Sequence, residues 1–487
     1  MNKKWFMVSI VAIFFLAVVL RLYRLDAPLA DWHSWRQSDT AAVARNFLKF
    51  GFDPLHPRYD DLSSIPSGLD NPMGYRMVEF PLYQLVSAGL AKAMPVYSIE
   101  IWLRFVSIMS ASLTSILLIL LVSRITDKLT GVITGFVYAT LPYSIFYGRT
   151  ILPETFAVFW AMLSLFLLGR GNRGDRGNLG MIILAGVAGA IALLVKPMTG
   201  FLLLPSIYLL WRRFSLSRNL LIGLLVYWII GLLLFLWWRK WIAQFPEGIP
   251  AYTWLLNGNN IRFKGAWFHW LFAKRMGELI LGFWGLIPFG LGLLVKPTKE
   301  EGWFFRWLLA GSLMYLVVFA TGNVQHDYYQ ILLLPVVSIY VAKGFVFLFT
   351  SPVFSKLITY HVSLITFLFM LAFSWFTIRT YYWINRPDIV EAGKLADQLL
   401  PKEAKVIAPY NGDTTFLYQT GRQGWPIGFD IEKKLKMGAT HYVTVSPTDN
   451  DLETKQLADC YTVLVRNDRY AIIDLTKPTK VCTITNP

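Results

Sequence analysis

The sequence predicts an all-α polytopic membrane bundle that carries a small extracytoplasmic α/β domain at its C-terminal end. Three observations carry this. The 487 residues are 55% hydrophobic and only 16% charged, with a mean hydropathy of +0.47, where a soluble domain carries roughly a quarter charged residues. Apolar runs of about 18 residues recur, each long enough to cross a hydrocarbon core of about 30 Å. From residue 379 the chain changes character and alternates short helix-like and strand-like runs.

The opening, MNKKWFMVSIVAIFFLAVVLRLYRL, has the basic start and apolar run of a secretion signal. No small-residue cleavage site follows and the run is long, so it reads as a retained first span. Spans are then expected near 5–22, 100–123, 129–147, 154–169, 179–195, 199–211, 219–238, 279–295, 306–321, 328–349 and 357–376, eleven in all. The domains expected are 1–378, a membrane module whose long outer loop 23–99 carries juxtamembrane helices, and 379–487.

Orientation follows from the short loops. SRITDK, RGNRGDRGN, WRRFSLSRN, KPTKEEGWFFR and SPVFSK are rich in Lys and Arg, which places them in the cytoplasm with the N-terminus. The 23–99 loop, the end of the third span, the VKPMTG turn, the 239–278 loop, the GNVQHDYYQ turn and the tail then fall outside. The chain is expected in the plasma (inner) membrane.

The net charge is +16, of which the tail supplies +1 and the rest +15. The excess therefore sits with the membrane part. It suits anionic lipids and phosphates, and without a basic low-complexity arm it does not suggest nucleic acid. Several basic residues fall on the outer side against the positive-inside trend: Arg21, Arg24, Arg36, Arg45, Arg76, Lys196, Arg239 and Lys240. An anionic ligand at that face is one reason for them.

In the tail, DIVEAGKLADQLL has helical spacing, while KVIAPY, HYVTVS, YTVLVR and YAIIDL read as strands. RNDR between the last two suggests a hairpin. Cys460 and Cys482 flank it, and outside the membrane they are expected to pair.

Candidate chemistry gathers on the outer side. In WRQSDTAAVARNF the chain looks helical from Ser38, with Val43, Phe47 and Phe50 in one stripe, as for a helix lying in the interface plane. Asp39 falls in its first turn, and the plainer reading is that Ser38 or Asp39 only caps the helix. GYRMVEFPLYQ supplies Arg76 and Glu79, which alternatively only pair with each other. YGRTILPETF supplies Arg149 and Glu154, with Pro153 as first helical residue and Glu154 as a first-turn acid facing the helix dipole. Lys196 ends the fifth span, as a snorkelling lysine or a phosphate contact. His326, Asp327, Tyr328 and Tyr329 sit at a late outer turn, as an interfacial belt or a binding element. His33, His56 and His326 are metal candidates without any tight ligand spacing.

These residues carry a resemblance. The chain resembles a C-type glycosyltransferase (the GT-C fold) of the bacterial family 39 group, related to protein O-mannosyltransferases and lipid A aminoarabinose transferases. The matching pieces are WRQSDTAAVARNF after the first span, EFPLYQ before the second, RTILPE after the third and HDYYQILLLP late in the bundle, over about 1–350. The resemblance implies a sugar donor linked to a polyprenyl phosphate, and a glycan, lipid or protein acceptor. It implies Asp39 as acid–base residue, and Glu79 and Glu154 as residues that shape the sugar or acceptor site or help hold a divalent metal. Arg36, Arg76, Arg149, Lys196, His326, Tyr328 and Tyr329 become candidate substrate contacts. Many relatives have two adjacent acids in the first loop, whereas here Ser38 precedes Asp39, which leaves metal dependence open. No other cofactor is implied.

The chemistry agrees. A lipid phosphate leaves as a stable anion and needs positive charge beside it rather than a proton. The acceptor hydroxyl must lose its proton as it attacks the anomeric carbon, and a carboxylate on the opposite face takes it. One base and one displacement imply inversion, while a double displacement needs a nucleophilic carboxylate. The alternative is a transporter or flippase of lipid-linked sugars. It predicts ionisable groups deep in the spans, and these are almost absent apart from Arg104 near the start of the second. An inverted internal repeat is also not evident. A non-catalytic assembly factor would leave the outer acids without a shared role.

Overall fold

The computed structural model describes residues 1–170, 179–351, 355–445, 447 and 451–480. The chain forms two compact units. One comprises Met1–Leu25, Arg104–Lys240 and Tyr252–Tyr381; the other comprises Asp26–Leu103, Trp241–Ala251 and Tyr382–Pro487. The long first loop and the tail thus fall in one unit.

The first eight helices are α1 (Lys3–Arg21), α2 (Ser34–Phe50), α3 (Leu82–Ala93), α4 (Ile99–Ile125), α5 (Lys128–Thr140), α6 (Pro142–Tyr147), α7 (Pro153–Gly169) and α8 (Leu179–Val195). α2 and α3 belong to the second unit, and α4 runs from it into the first.

The first unit is a helical bundle with the composition of a polytopic membrane protein. Five helical stretches are long and apolar enough to cross a membrane: Lys3–Arg21, Ile99–Ile125, Arg218–Ile242, Asp327–Thr350 and one that begins at Lys356. α7, α8 and Phe304–Val318 are shorter apolar helices. Eleven spans were expected, and the difference lies partly in those three shorter helices and partly in chain breaks. Pro142 separates α5 from α6, and Pro205 starts a new helix inside the expected 199–211 span, because proline donates no hydrogen bond to the preceding turn. Gly282 and Phe283, both at positive φ, interrupt the 279–295 span. Asp327–Thr350 is central, with 89% of its apolar window buried, against 17% for α1. α1 instead exposes Trp5, Met7, Val8, Val11, Phe15 and Val19, a surface fit for acyl chains rather than water.

Arg21 is fully buried and shows what becomes of one cation that ran against the charge trend. It donates to Ala17 O (2.9 Å), Ala139 O (3.1 Å) and Ser144 Oγ (2.8 Å). Gly148 makes room for it, since a Cβ there would lie 2.3 Å from Arg21 Nε. Arg21 therefore ties α1 to α5 and α6 and does not need an outside anion.

The second unit holds an open five-stranded sheet of order β2-β1-β3-β5-β4, with β1 Lys405–Ile407, β2 Gln423–Trp425, β3 His441–Thr444, β4 Tyr461–Arg466 and β5 Ala471–Pro478. β1 pairs in parallel with β2 and β3, whereas β5 is antiparallel to β3 and β4. Alternate residues feed two cores, as strand geometry requires. Val406, Val443 and Ile472 join helices Pro387–Leu399 and Thr414–Gln419 through Ile389, Ala392 and Phe416 on one face. Ile407, Tyr442 and Ile473 meet Ile431 and Leu457 on the other. The expected strands, helix and terminal hairpin are present, while the three-residue β2 and the short helices Thr414–Gln419, Ile431–Lys436 and Leu452–Cys460 were not anticipated. Leu62 of the first loop enters the second core. Its N–H donates to Gly424 O (2.7 Å), and Gly424 N–H donates to Asp60 O (2.9 Å). The loop thereby covers the free edge of β2. Cys460 is buried at the end of a helix, while Cys482, its expected partner, lies outside the described residues, as does most of the RGNRGDRGN loop.

Candidate functional site

In the second unit the site is built on α2. The helix begins at Ser34, with His33 in the left-handed conformation as its N-cap. Gln37 Nε2 fixes this entry by donating to Asp31 Oδ1 (2.7 Å) and Trp32 O (3.0 Å). Asp39 therefore lies in the second turn and caps nothing, which removes the plainer reading of it. Nor does α2 lie free in an interface: Arg36 to Ala44 are all buried, and only its last turn exposes Leu48 and Phe50. It packs on α3 and on the Thr414–Gln419 helix of the tail.

Arg36 and Asp39 share one face of α2, three residues apart, and meet Arg76 and Glu79 in reversed charge order. Arg76 Nη2 lies 2.9 Å from Asp39 Oδ2, and Arg36 Nη2 lies 2.7 Å from Glu79 Oε1. All four side chains are largely buried. Arg76 and Glu79, for which pairing with each other was the alternative reading, pair instead with α2. Asp39 Oδ1 accepts a second contact, the hydroxyl of Thr414 at 2.7 Å. Arg76 also lies 5.0 Å over the ring of Tyr59.

Sequence reasoning missed several neighbours. Arg45 pairs with Asp60 and lies 4.2 Å over the Tyr418 ring, and the Tyr418 hydroxyl donates to Glu100. Asp61 is buried, with Oδ1 accepting from Ser63 N–H at 2.7 Å. Burial, aided by the charge of Asp39, pushes its carboxyl up to about 7. Burial raises Asp60 too, against the pull of Arg45, and raises Asp413, which Asp39 also repels. The adjacent acids of YDDLSS were the available signal. Nothing in the sequence marked Thr414.

The first unit holds a separate constellation. Pro153 opens α7 and Glu154 stands in its first turn, as expected. Glu154 is fully buried and its Oε1 pairs with Lys196 Nζ, while Oε2 has no hydrogen-bond partner among the described residues. Lys196 is extended before Pro197, as a residue preceding proline must be. At 7% exposure it does not snorkel, and its ammonium lies 5.4 Å from the Tyr329 ring centre. Tyr329 stacks on Tyr328 (4.8 Å), and His326 packs on both and on Trp254. Tyr328 and Tyr329 are buried, so they are not an interfacial belt. Arg149 is buried, donating to Arg24 O at 3.3 Å and lying 5.2 Å over Phe146.

Asp327 was the least expected centre of this unit. Tyr147 and Tyr381 each donate a hydroxyl to its carboxylate at 2.5 Å, Arg275 approaches at 3.4 Å, and Tyr143 donates to its backbone carbonyl at 2.5 Å. These groups come from four separate stretches of chain, which local sequence does not link.

The metal candidates do not gather. His33 packs on Trp32. His56 pairs with Asp53 (2.8 Å) among Tyr75, Trp241 and Phe245. His326 lies in the other unit. Among the described residues no group of three or more His, Cys, Asp or Glu side chains could hold a metal. Asp39, Glu79 and Glu154 each face a cation instead, a donor set that does not fit a divalent ion.

A family model described as dolichyl-phosphate-mannose-protein mannosyltransferase matches residues 74–289, a stretch that includes Arg76, Glu79, Glu154 and Lys196. No curated protein matches the sequence. Among solved structures, ArnT from Cupriavidus metallidurans bound to undecaprenyl phosphate is similar over 100% of both chains, with a TM-score of 0.66 at 13% identity. Its apo state gives a TM-score of 0.64 at 12% identity. The oligosaccharyltransferase AglB from Archaeoglobus fulgidus, in complex with an inhibitory peptide and a dolichol-phosphate, is similar over 91% of this chain and 70% of that one, with a TM-score of 0.55 at 13% identity. A further structure of the Archaeoglobus fulgidus enzyme is a complex with Zn and sulfate. The chain shares its fold with these solved structures.

Proposed function

We propose that the chain is an inverting glycosyltransferase. It moves a sugar from a polyprenyl-phosphate-linked donor to an acceptor hydroxyl at the outer face of the membrane. The observation that carries this reading is the full-length fold likeness to a protein bound to undecaprenyl phosphate, taken with a buried carboxylate, Asp39, seated between Arg76 and Thr414.

In this reading the acceptor oxygen attacks the anomeric carbon and its proton passes to Asp39. The bond from that carbon to the phosphate oxygen breaks, its electron pair leaving with the lipid phosphate. Arg76 and Thr414 hold Asp39 in one orientation, which is what general-base catalysis demands first. Arg36, Arg76, Arg149 and Lys196 are the cations offered to the donor phosphate. Glu79 and Glu154 set Arg36 and Lys196 in place, and His326, Tyr328 and Tyr329 line the sugar or lipid path. No step is routed through a metal. The remaining apolar segments complete a bundle of eleven crossings, with the N-terminus cytoplasmic and the tail outside.

The test is a transfer assay in detergent or membranes, with a panel of radiolabelled polyprenyl-phosphate sugars offered to wild type and to Asp39→Asn. One donor is consumed by wild type, and the folded variant loses about a hundredfold or more in rate, as loss of a general base does. Equal transfer by both proteins removes Asp39 from the chemistry. Movement of lipid-linked sugar across vesicles without transfer establishes a flippase instead.

A further inference from the structure

We propose that the C-terminal sheet carries a saccharide-binding site of its own, at the carboxyl ends of its three parallel strands. The site is a cavity of about 430 Å³ whose lining, among the described residues, runs from Arg386 to Glu453, within the size range of small-molecule sites. β1, β2 and β3 run parallel in the order β2-β1-β3. The chain leaves β1 toward one side and returns past it to the other. The crevice outside the carboxyl ends at such a reversal is where open α/β sheets bind ligands. The lining follows this rule. Pro409 and Tyr410 come just after β1, Gly428 and Phe429 just after β2, and Thr444 and Val445 at the end of β3.

The loop after β2 is built to hold one ring outward. Phe429 and Asp430 both have positive φ, +61° and +46°, a conformation that costs a non-glycine residue about 1 kcal/mol or more. The Phe429 ring is nevertheless 52% exposed and belongs to neither core of the sheet. Two buried groups clamp the backbone beneath it. Glu453 accepts the Phe429 N–H at 2.6 Å. Lys434 Nζ donates to the carbonyls of Ile427 (2.9 Å), Gly428 (2.5 Å) and Phe429 (2.6 Å). Gly428 leaves room for that carboxylate, since a Cβ there would meet Glu453 Oε1 at 2.4 Å and displace it.

The chemistry of the lining selects the ligand. Tyr410 and Phe429 offer ring surface, and Thr444, Asp451 and Glu453 offer oxygens. Among the described lining residues the cation is Arg386, held by Asp388 at 2.6 Å, and the Lys434 ammonium beneath is taken up by three backbone carbonyls. Acids therefore outnumber available positive charge, which turns away phosphates, nucleotides and acidic sugars. Ring faces beside hydroxyl-accepting carboxylates fit a neutral or amino sugar, its C–H face on Phe429 and its hydroxyls on the oxygens. The site uses none of the Asp39 machinery and stands whether or not the chain transfers sugar.

The test is saturation-transfer NMR on the full-length protein in detergent, with methyl glucoside, glucosamine and glucose 6-phosphate as probes. The first two receive saturation, with dissociation constants of order 1 mM, and glucose 6-phosphate does not. Phe429→Gly removes the ring while suiting the positive φ, so it weakens binding about tenfold or more without lowering the melting temperature. Asp39→Asn leaves the signal intact, which separates this site from the transferase reading. Absence of saturation for both uncharged and amino sugars, equal signal in Phe429→Gly, loss of signal in Asp39→Asn, or binding of glucose 6-phosphate overturns the proposal.

Discussion

Thr414 donates its hydroxyl to Asp39 over 2.7 Å, across 375 residues of sequence. The tail thereby reaches the carboxylate that the first loop presents, and the contact gives the tail a part in positioning it. Thr414→Val keeps the shape and removes the donor. It is expected to lower kcat about three- to tenfold with little change in KM, and to cost about 1 kcal/mol of stability. Thr414→Ser restores kcat. Steady-state kinetics on the three proteins decide this, since a merely structural role would not be rescued in kcat alone.

The Lys196–Glu154 pair is buried on both sides. Breaking a buried pair from one side strands a charge and costs about 3–5 kcal/mol, whereas removing both partners is close to neutral. Lys196→Met is expected to lower the melting temperature sharply, and Lys196→Met with Glu154→Gln to restore it. If Lys196 also meets the donor phosphate, the restored double variant still shows a donor KM raised about tenfold. Thermal melts and donor titrations on the same preparations separate the two effects.

Asp61 gives the second unit a pH dependence of definite sign. Its folded value of about 7 stands above the unfolded 3.8. The folded state therefore binds the proton more tightly, and stability present below about pH 4 is lost as pH rises through 7. At about 1.4 kcal/mol per unit, the loss approaches 4 kcal/mol. Asp61→Asn keeps a neutral side chain at all pH and flattens that slope. Thermal unfolding of both proteins between pH 4 and 8 is the check. A wild-type slope equal to that of the variant excludes Asp61 as its source.

At Asp327, Tyr381→Phe removes one of two hydroxyl donors to the carboxylate. The lost bond to a buried charge is expected to cost about 1–3 kcal/mol. Tyr147→Phe has a similar effect, and the pair together exceed the sum of the two, because they serve one group. Chemical or thermal unfolding of the two single variants and the double variant measures the coupling.

The elements that the sequence made legible are those whose signal is local. The apolar runs of α1, α4 and Arg218–Ile242, the strands HYVT and YTVLVR, and Pro153 with Glu154 at the start of α7 were each readable within about 20 residues. The start of α2 was misread by four residues because its N-cap is a left-handed His33 whose side chain does not cap the helix, where cap chemistry normally supplies the cue. The chemistry of Arg76 and Glu79 was visible, but their partners were not, since charge order alone does not tell i to i+3 pairing along one segment from pairing with another helix. Thr414, Asp61 and the Asp327 cluster depend on contacts between distant segments, which no periodicity encodes.

The edge of β2 is sealed by Asp60 and Leu62, and the unit that contains them is drawn from the beginning, middle and end of the chain. This imposes a timetable on biosynthesis. The first loop emerges with its half of the structure unmade and must wait while nearly three hundred more residues are translated and inserted. At typical elongation rates that interval is on the order of tens of seconds. Through it, Asp39 lacks the Thr414 hydroxyl and α2 lacks the tail helix it packs on. A nascent chain released before Thr414 therefore lacks the full set of contacts on its carboxylate.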